Sequence, residues 1–358
     1  MVVIMVPFLI MEFLLYFGFM NVVLALFGIQ VGLMGYVLLT LFCLVLGSLY
    51  PVLRGTEAEY STRFTRALYH FSSFLVLTVL FYLLHSVILL LVCQFVSIPV
   101  NVLLLIYIIL FLVIIYSIYN AYNIKIKEVT VKIDSLESEK YIVQLSDIHA
   151  GSIVGEDFVN KIVNKIQSID KDILAVVITG DLADGTSQIT EESFKMFKKI
   201  KPPIFFVSGN HDAYIDLNNI YRAVEAADMI ILDGKVSHLD DIELIGIPTV
   251  GMGFGESRVG GYLDNIPYDH SKADILLYHL PNEWNVSRDY DIDLQLSGHT
   301  HGGQFYPATL FTRLGSEYVR GLFRKDDKYL YVSDGLGVWG PMMRLGTSCE
   351  LVLLHLKP

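Results

Sequence analysis

The first third of the chain is almost free of charge, and this limits its fold more than any other feature. Up to residue 120 the only formal charges are Arg54, Arg63, Arg66, Glu12, Glu57 and Glu59, which cancel. Four apolar stretches lie here, at roughly 4–28, 31–50, 71–96 and 98–119. A bilayer core about 30 Å thick takes about 20 helical residues, so each stretch reaches or approaches spanning length. One helix that is apolar all round can be buried in a soluble core, but four in succession are hard to hide there. Residues 1–121 therefore predict an integral, multi-pass membrane region of about four helices. The first stretch lacks a basic leader and is too long for the apolar part of a signal peptide. Glu12 and His85 fall inside spans, where pairing between helices explains them more simply than an ion relay.

Lysine and arginine placement predicts sidedness. The connections near 29–30 and 97 carry neither residue. The 51–70 connection holds Arg54, Arg63 and Arg66, and Lys125, Lys127, Lys132 and Lys140 follow the last span. The positive-inside rule then places the C-terminal part in the cytoplasm. That part holds 23 of the 26 basic and 34 of the 37 acidic residues, so the net charge of −11 is its own. An acidic domain without a basic stripe predicts no nucleic-acid partner. Cys43, Cys93 and Cys349 show no paired spacing and imply no disulfide framework.

Residues 122–358 read as one further domain. Its first strand falls in 122–140, where Ile124 and Ile126, then Val129, Val131 and Ile133, alternate with polar residues. Strands are predicted at Tyr141–Ser146, Asp172–Thr179 and Pro203–Ser208, with helices at Glu156–Ile169, Glu191–Ile200 and Leu217–Ala227. Short strands follow near 229–232, 236–239, 242–247, 274–278, 292–297, 329–333 and 350–356. The order βαβαβα and then mainly β predicts two sheets flanked by helices. The glycine-rich stretch Gly251–Gly261 lacks the order of a phosphate cradle and reads as a loop beside the site.

Five motifs carry the chemistry: Asp147-Ile148-His149, Gly180-Asp181-Leu182-Ala183-Asp184, Gly209-Asn210-His211-Asp212, His279 and Gly298-His299-Thr300-His301. Four of the five follow directly on a short apolar run. Hydrolysis of a phosphate ester needs a nucleophile from water, neutralised oxygens and help for the leaving group. Two divalent cations about 3.5–4 Å apart supply the first two, holding a hydroxide between them. The protein must then offer oxygen and nitrogen ligands, with one carboxylate shared. Asp147 and His149 at i and i+2 point to the same side if that strand end is extended. Asp181 is the natural shared carboxylate, Asn210 a neutral oxygen ligand, and His279, His299 and His301 supply nitrogens. Asp212 reads as a group supporting the ligands. Any one motif alone is weak; the five in this order have few competing explanations.

The set DIH, GDLAD, GNHD, H and GHTH resembles the calcineurin-like metallophosphoesterases over roughly residues 138–358. The resemblance implies a four-layer αββα sandwich. It also implies one metal on Asp147, His149, Asp181 and His301, and a second on Asp181, Asn210, His279 and His299. His211 would correspond to the family's site-proximal histidine, which gives a proton to the leaving oxygen, and Asp184 to its orienting partner. The strings Ser297–Gln304 and Gly335–Leu351 are similar to a membrane-associated branch that includes the YkuE- and YaeI-type phosphodiesterases. Cys349 stands where those relatives tend to have proline. Gln304 and Arg344 are candidates for lining the site or contacting a substrate phosphate.

The expected function is a membrane-bound hydrolase of a phosphodiester or pyrophosphate, plausibly in a lipid or lipid-linked substrate. Its cofactors would be two divalent ions, manganese first, with iron, zinc or cobalt as alternatives. A tethered enzyme acting on a soluble nucleotide or small molecule, and a non-catalytic scaffold or sensor, are the competing classes.

Overall fold

In a computed structural model, residues 2–55, 63–151, 153–185, 189–214, 216–249 and 258–358 are described. The chain divides into two compact units, Met1–Ile118 and Tyr119–Pro358.

The first unit is helical: α1 (Val2–Leu26), α2 (Leu33–Gly55), α3 (Arg63–Val92) and most of α4 (Val100–Tyr122). Three helices are long and apolar enough to cross a membrane, through Leu9–Leu26, Ala67–Val92 and Val100–Tyr122. The second expected span lies on a helix whose apolar stretch, Leu33–Leu49, is shorter. Glu12 is buried and His85 Nδ1 donates to the Phe81 carbonyl at 2.7 Å. Glu57 and Glu59 lie outside the described residues.

The second unit is built on two six-stranded mixed sheets. The first comprises β1 (Lys125–Lys132), β2 (Lys140–Leu145), β3 (Ile173–Thr179), β4 (Ile204–Val207), β5 (Ile230–Ile231) and β12 (Glu350–Lys357), in the order β1-β12-β2-β3-β4-β5. The second comprises β6 (Lys235–Leu239), β7 (Ile242–Ile247), β8 (Ala273–Tyr278), β9 (Leu294–Ser297), β10 (Gly321–Lys325) and β11 (Lys328–Val332), in the order β10-β11-β9-β8-β7-β6. Strands β2 to β5 run parallel, as do β7, β8, β9 and β11. Apart from the short edge strand β5 they are largely buried on both faces, and they have the near-continuous apolar sequences that parallel strands require.

Period-two alternation sorts their side chains between cores. Val176, Ile178 and Phe206 pack with Phe158, Ile162 and Ile166 of α5 (Glu156–Gln167) and Ile220 and Val224 of α6 (Leu217–Ala226). The residues between them, Ala175, Val177 and Phe205, share a core with Leu244, Ile275, Leu277 and Leu296 of the other sheet. On that sheet's far side Ile245, Ile247, Leu276 and Tyr278 pack with Val259 and Leu263 of α7 (Arg258–Leu263).

Several boundaries differ from the sequence reading. The helix expected at 191–200 is a turn followed by a 3-10 segment, Lys195–Lys199. Its basic residues recur too often to leave a broad apolar face, and Phe194 and Phe197 anchor it instead. Of the glycine-rich stretch, 251–257 lies outside the described residues, and the remainder begins α7. Three short elements carry too weak a period to be seen in sequence: α8 (Trp284–Asp289), α9 (Ala308–Phe311) and β10.

The end of α4 is built into the second unit. Ala121 joins its core, Tyr122 packs edge-on to Phe158, and the buried Asn120 amide donates to the carbonyls of Arg344 and Thr347 at 3.1 and 2.8 Å. Asn120→Ala removes one donor from two buried carbonyls, each worth about 1–3 kcal/mol when left unpaired. The expected result is a lower unfolding midpoint of this unit in the detergent-solubilised full chain, followed by near-UV circular dichroism.

Candidate metal centre

Every ligand-bearing loop follows the C-terminal end of a parallel strand, where open α/β sheets place their sites. Strand β2 leads to Asp147 and His149, β3 to Asp181, and β4 to Asn210 and His211. From the second sheet β8 leads to His279, and β9 to His299 and His301. The structure brings the acidic and imidazole groups into three overlapping clusters: Asp147, His149 and His301; His149, Asp181 and His211; Asp181, His279 and His299.

Asp181 belongs to two of them. Its Oδ2 lies 3.1 Å from His279 Nε2 and 3.8 Å from His149 Nε2, while Oδ1 accepts from the His211 amide at 2.8 Å. Asp147 accepts from Ser146 Oγ at 2.6 Å and from the His299 amide, and its Oδ1 lies 3.4 Å from His301 Nε2. His279 donates Nδ1–H to the Thr179 carbonyl at 2.8 Å, which leaves Nε2 facing the site. Asn210 turns its amide nitrogen to Tyr214 Oη at 2.8 Å, and its Oδ1 is buried without a hydrogen-bond partner.

Asp147 and His149 reach one side by a different route from the extended strand end expected. Strand β2 stops at Leu145, and both residues adopt left-handed backbone, φ 51° each. Asp181, His299, His301 and Gln304 do the same. Such conformations cost about 1–3 kcal/mol each in non-glycine residues and persist where the surroundings over-determine them. The glycines ahead of the ligands allow close approach. A Cβ on Gly209 would lie 2.1 Å from Asp181 Oδ1, and one on Gly298 would lie 2.2 Å from Asp147 Oδ2.

The electrostatics fit a metal-binding cluster. Burial pushes His149 down to about 3 and holds His301 well below the ordinary imidazole range, and partial desolvation of the more exposed His299 lowers it to about 4. His149 and His301 are thus neutral, with their Nε2 atoms 3.0 Å apart, so at most one proton can lie between them. Burial opposes a charge on His279, but Asp181 and then Asp147 outweigh it and lift His279 to about 10. Burial raises Asp147 to about 6, whereas the neighbouring imidazoles overcome burial at Asp181 and keep it below the carboxylate range. Buried oxygen and nitrogen donors that lack protein partners, with no thiolate among them, suit hard or borderline divalent cations.

The remaining predicted residues fall at the margins. His211 donates Nδ1–H to the main-chain carbonyl of Asp184 at 3.0 Å and lies edge-on to His149, ring centroids 4.6 Å apart. Asp212 accepts from the Gly209 and Ala183 amides and so ties two ligand loops together. Arg344 is fully buried, with donors directed to the carbonyls of Asp334, Gly335 and Gly337. In that placement Arg344 braces the loop under Asp147. Gln304 is buried, exchanging hydrogen bonds with the Trp339 backbone, and holds a loop rather than lining open space. Sequence reasoning missed Ser146 and Tyr214. The only signal for Tyr214 was its place four residues after Asn210.

Gly209→Ala should lower metal affinity by about 10–100-fold, the range seen when a group supporting a ligand is disturbed. Isothermal titration with Mn²⁺ measures it; unchanged affinity in a folded variant would mean that Asp181 yields without leaving the site.

Residues 140–303 match the family model described as calcineurin-like phosphoesterase. An uncharacterized metallophosphoesterase of Helicobacter pylori is 34% identical over 65% of this chain and 64% of its own length. One from Aquifex aeolicus is 31% identical over 68% of this chain and 95% of its own. A zebrafish (Danio rerio) protein named as a transmembrane protein with metallophosphoesterase domain is 31% identical over 60% of this chain and 53% of its own. The chain thus spans just under two thirds of the Helicobacter relative and about half of the zebrafish one. Through the matched family model and the Aquifex relative, whose length it covers almost completely, the chain belongs to the calcineurin-like metallophosphoesterases.

Proposed function

We propose that the protein is a membrane-anchored, dinuclear-metal hydrolase of phosphate esters. Its substrate would be a phosphodiester or pyrophosphate in a lipid or lipid-linked molecule. The observation that carries this reading is Asp181 Oδ2, within 3.8 Å of imidazole nitrogens from two separate clusters. Asp147, His149, Asp181 and His301 would hold one ion, and Asp181, Asn210, His279 and His299 the other, with manganese as the first choice and iron, zinc or cobalt as alternatives. Two divalent cations supply Lewis acidity and water of lowered pKa when bound.

The chain's own residues do the rest. His211 keeps its Nδ1 proton on the Asp184 carbonyl, so Nε2 is the atom that gives a proton to the leaving oxygen. Asp184 sets the ring's orientation. Asp212 and Arg344 hold the loops, so the ligands do not have to be gathered at each turnover.

The membrane reading is supported by the three long apolar helices and by relatives named as transmembrane proteins. We infer that α2 spans as a fourth, shorter helix, that residues 122–358 form a sandwich of four layers, and that this domain is cytoplasmic. The sidedness rests on α3 and α4. Arg54 precedes the pair, Arg63 and Arg66 lie at the start of α3 ahead of its apolar stretch Ala67–Val92, Lys125, Lys127, Lys132 and Lys140 follow α4, and the link between the two helices carries no Lys or Arg. It does not depend on whether α2 crosses.

Purified full chain with Mn²⁺ should cleave bis-p-nitrophenyl phosphate and at least one member of a phospholipid panel. Asp181→Ala should abolish both; retention of more than about a tenth of the rate contradicts a shared ligand, given what metal catalysis contributes. His211→Ala should keep its metal content and lose about 10²–10⁴-fold in kcat, the usual contribution of a general acid. Turnover of soluble esters with none of any lipid would instead favour a tethered enzyme with a small soluble substrate.

A further inference from the structure

Eight large hydrophobic side chains stand exposed among the described residues after 122, and four of them gather on one edge. Leu310, Phe311 and Leu314 are 62%, 60% and 85% exposed, on α9 and the 3-10 turn Thr312–Leu314 that continues it. Trp339 is 59% exposed. Its backbone exchanges two hydrogen bonds with the Gln304 side chain, and α9 begins four residues after Gln304. The spacing 310, 311, 314 puts the three apolar side chains on one helical face. The opposite face is polar and packed, since Thr309 and Thr312 lie against Gly303. The four other exposed residues, Ile126, Tyr214, Ile230 and Leu322, sit singly on separate elements, as is ordinary for a protein surface.

The end of α4 indicates what covers this edge. Tyr116, Tyr119 and Tyr122 are all exposed there, the pattern of an aromatic belt at a membrane–water boundary. Between the last two, Asn120 is hydrogen-bonded to the carbonyls of Arg344 and Thr347. Thr347 Oγ1 donates to the Gln304 carbonyl at 2.9 Å, the Leu345 amide donates to the same carbonyl, and Gly346 lies against Thr309 of α9. A short run of direct contacts within the second unit therefore joins the boundary end of the span to the exposed edge. The exposed Arg313 lies between Phe311 and Leu314, where a cation would meet lipid phosphate.

We propose that Leu310, Phe311, Leu314 and Trp339 seat in the interfacial layer of the bilayer that holds the spans, beside the loop carrying His299 and His301. The proposal rests on the membrane-anchored reading above. It adds a device that holds the site at headgroup level and admits a phosphoester from the plane of the membrane. The ligand loop His301–Gln304 runs directly into α9, so seating this edge brings the cluster to the lipid surface.

Tryptophan fluorescence tests it on the full chain in phosphatidylcholine–phosphatidylglycerol vesicles. The chain has two tryptophans, and Trp284 is buried, so subtracting the spectrum of Trp339→Phe isolates Trp339. The expected signal is blue-shifted, shielded from iodide, and reduced by about half by lipids brominated near the glycerol, as for an indole about 5–10 Å into the headgroup boundary. A water-like emission, quenched by iodide and indifferent to brominated lipid, overturns the proposal. Leu310→Asp with Leu314→Asp should abolish the lipid quenching. It should also raise KM severalfold for a phosphoester embedded in vesicles and leave turnover of bis-p-nitrophenyl phosphate unchanged. Equal effects on both esters would also overturn it. A chain inert toward both esters but still quenched by brominated lipid would defeat the catalytic reading alone. A chain that fails to float with vesicles defeats the anchoring and this edge together.

Discussion

The carboxylate of Asp181 is the constraint around which the second unit is arranged. It is buried, and its nearest polar neighbours are two imidazoles and a backbone amide. A carboxylate in that position requires opposite charge close by, because desolvation disfavours it and hydrogen bonds alone compensate poorly. In the protein on its own, a proton on His279 supplies that charge. The neutral state of His149, His299 and His301 shows how much ligand capacity is left over. The site is thus a polar cluster placed in the interior ahead of the cations that would satisfy it.

Holding it there requires rigidity from several directions. Six site residues with left-handed backbone are kept in place by the ends of β2, β3 and β9, by the Asp212 link between two loops, and by Arg344 under the Asp147 loop. Arg344 is itself a buried cation whose Nη2 is directed to three carbonyls and whose Nη1 donates to Thr347 Oγ1, contacts that offset part of the cost of burying its charge. The same loop region receives the end of α4 through Asn120. The segment that braces the Asp147 loop is thereby also the one that holds Asn120 within the second unit.

Much of the fold followed from pattern. Four of the five strands leading to the predicted ligands are short apolar runs followed by glycine or serine, and α5 and α6 have one clear apolar face. Failures came where local pattern is weak or tertiary packing overrides it. Residues 191–200 have helical composition but bury only Phe194, Phe197 and Ile200, at three-residue spacing, and they settle into turns and a 3-10 segment. The segments α8, α9 and β10 are too short for a period to develop. For the site, the residues that cluster could be read from motif and order, whereas the left-handed geometry of Asp147 and His149 could not. Arginine at 344 looked equally suited to a phosphate or to a brace, and its complete burial against loop carbonyls came only with the tertiary structure.

By itself the sequence determined the division of the chain into an apolar region and an acidic one, and the chemistry of the donors: carboxylate, amide and imidazole, without thiolate. These are properties of residue types and their near neighbours, and they survive without knowledge of distant contacts. The tertiary structure alone decided that Asp181 faces two imidazoles at once, that Gln304 and Arg344 are buried and hydrogen-bonded to loop backbone, and that α9 and Trp339 share an edge tied to the end of α4. Each of these depends on side chains far apart in the chain meeting within a few ångströms. Such distances are set by how two sheets and their covering helices pack, which no local pattern encodes.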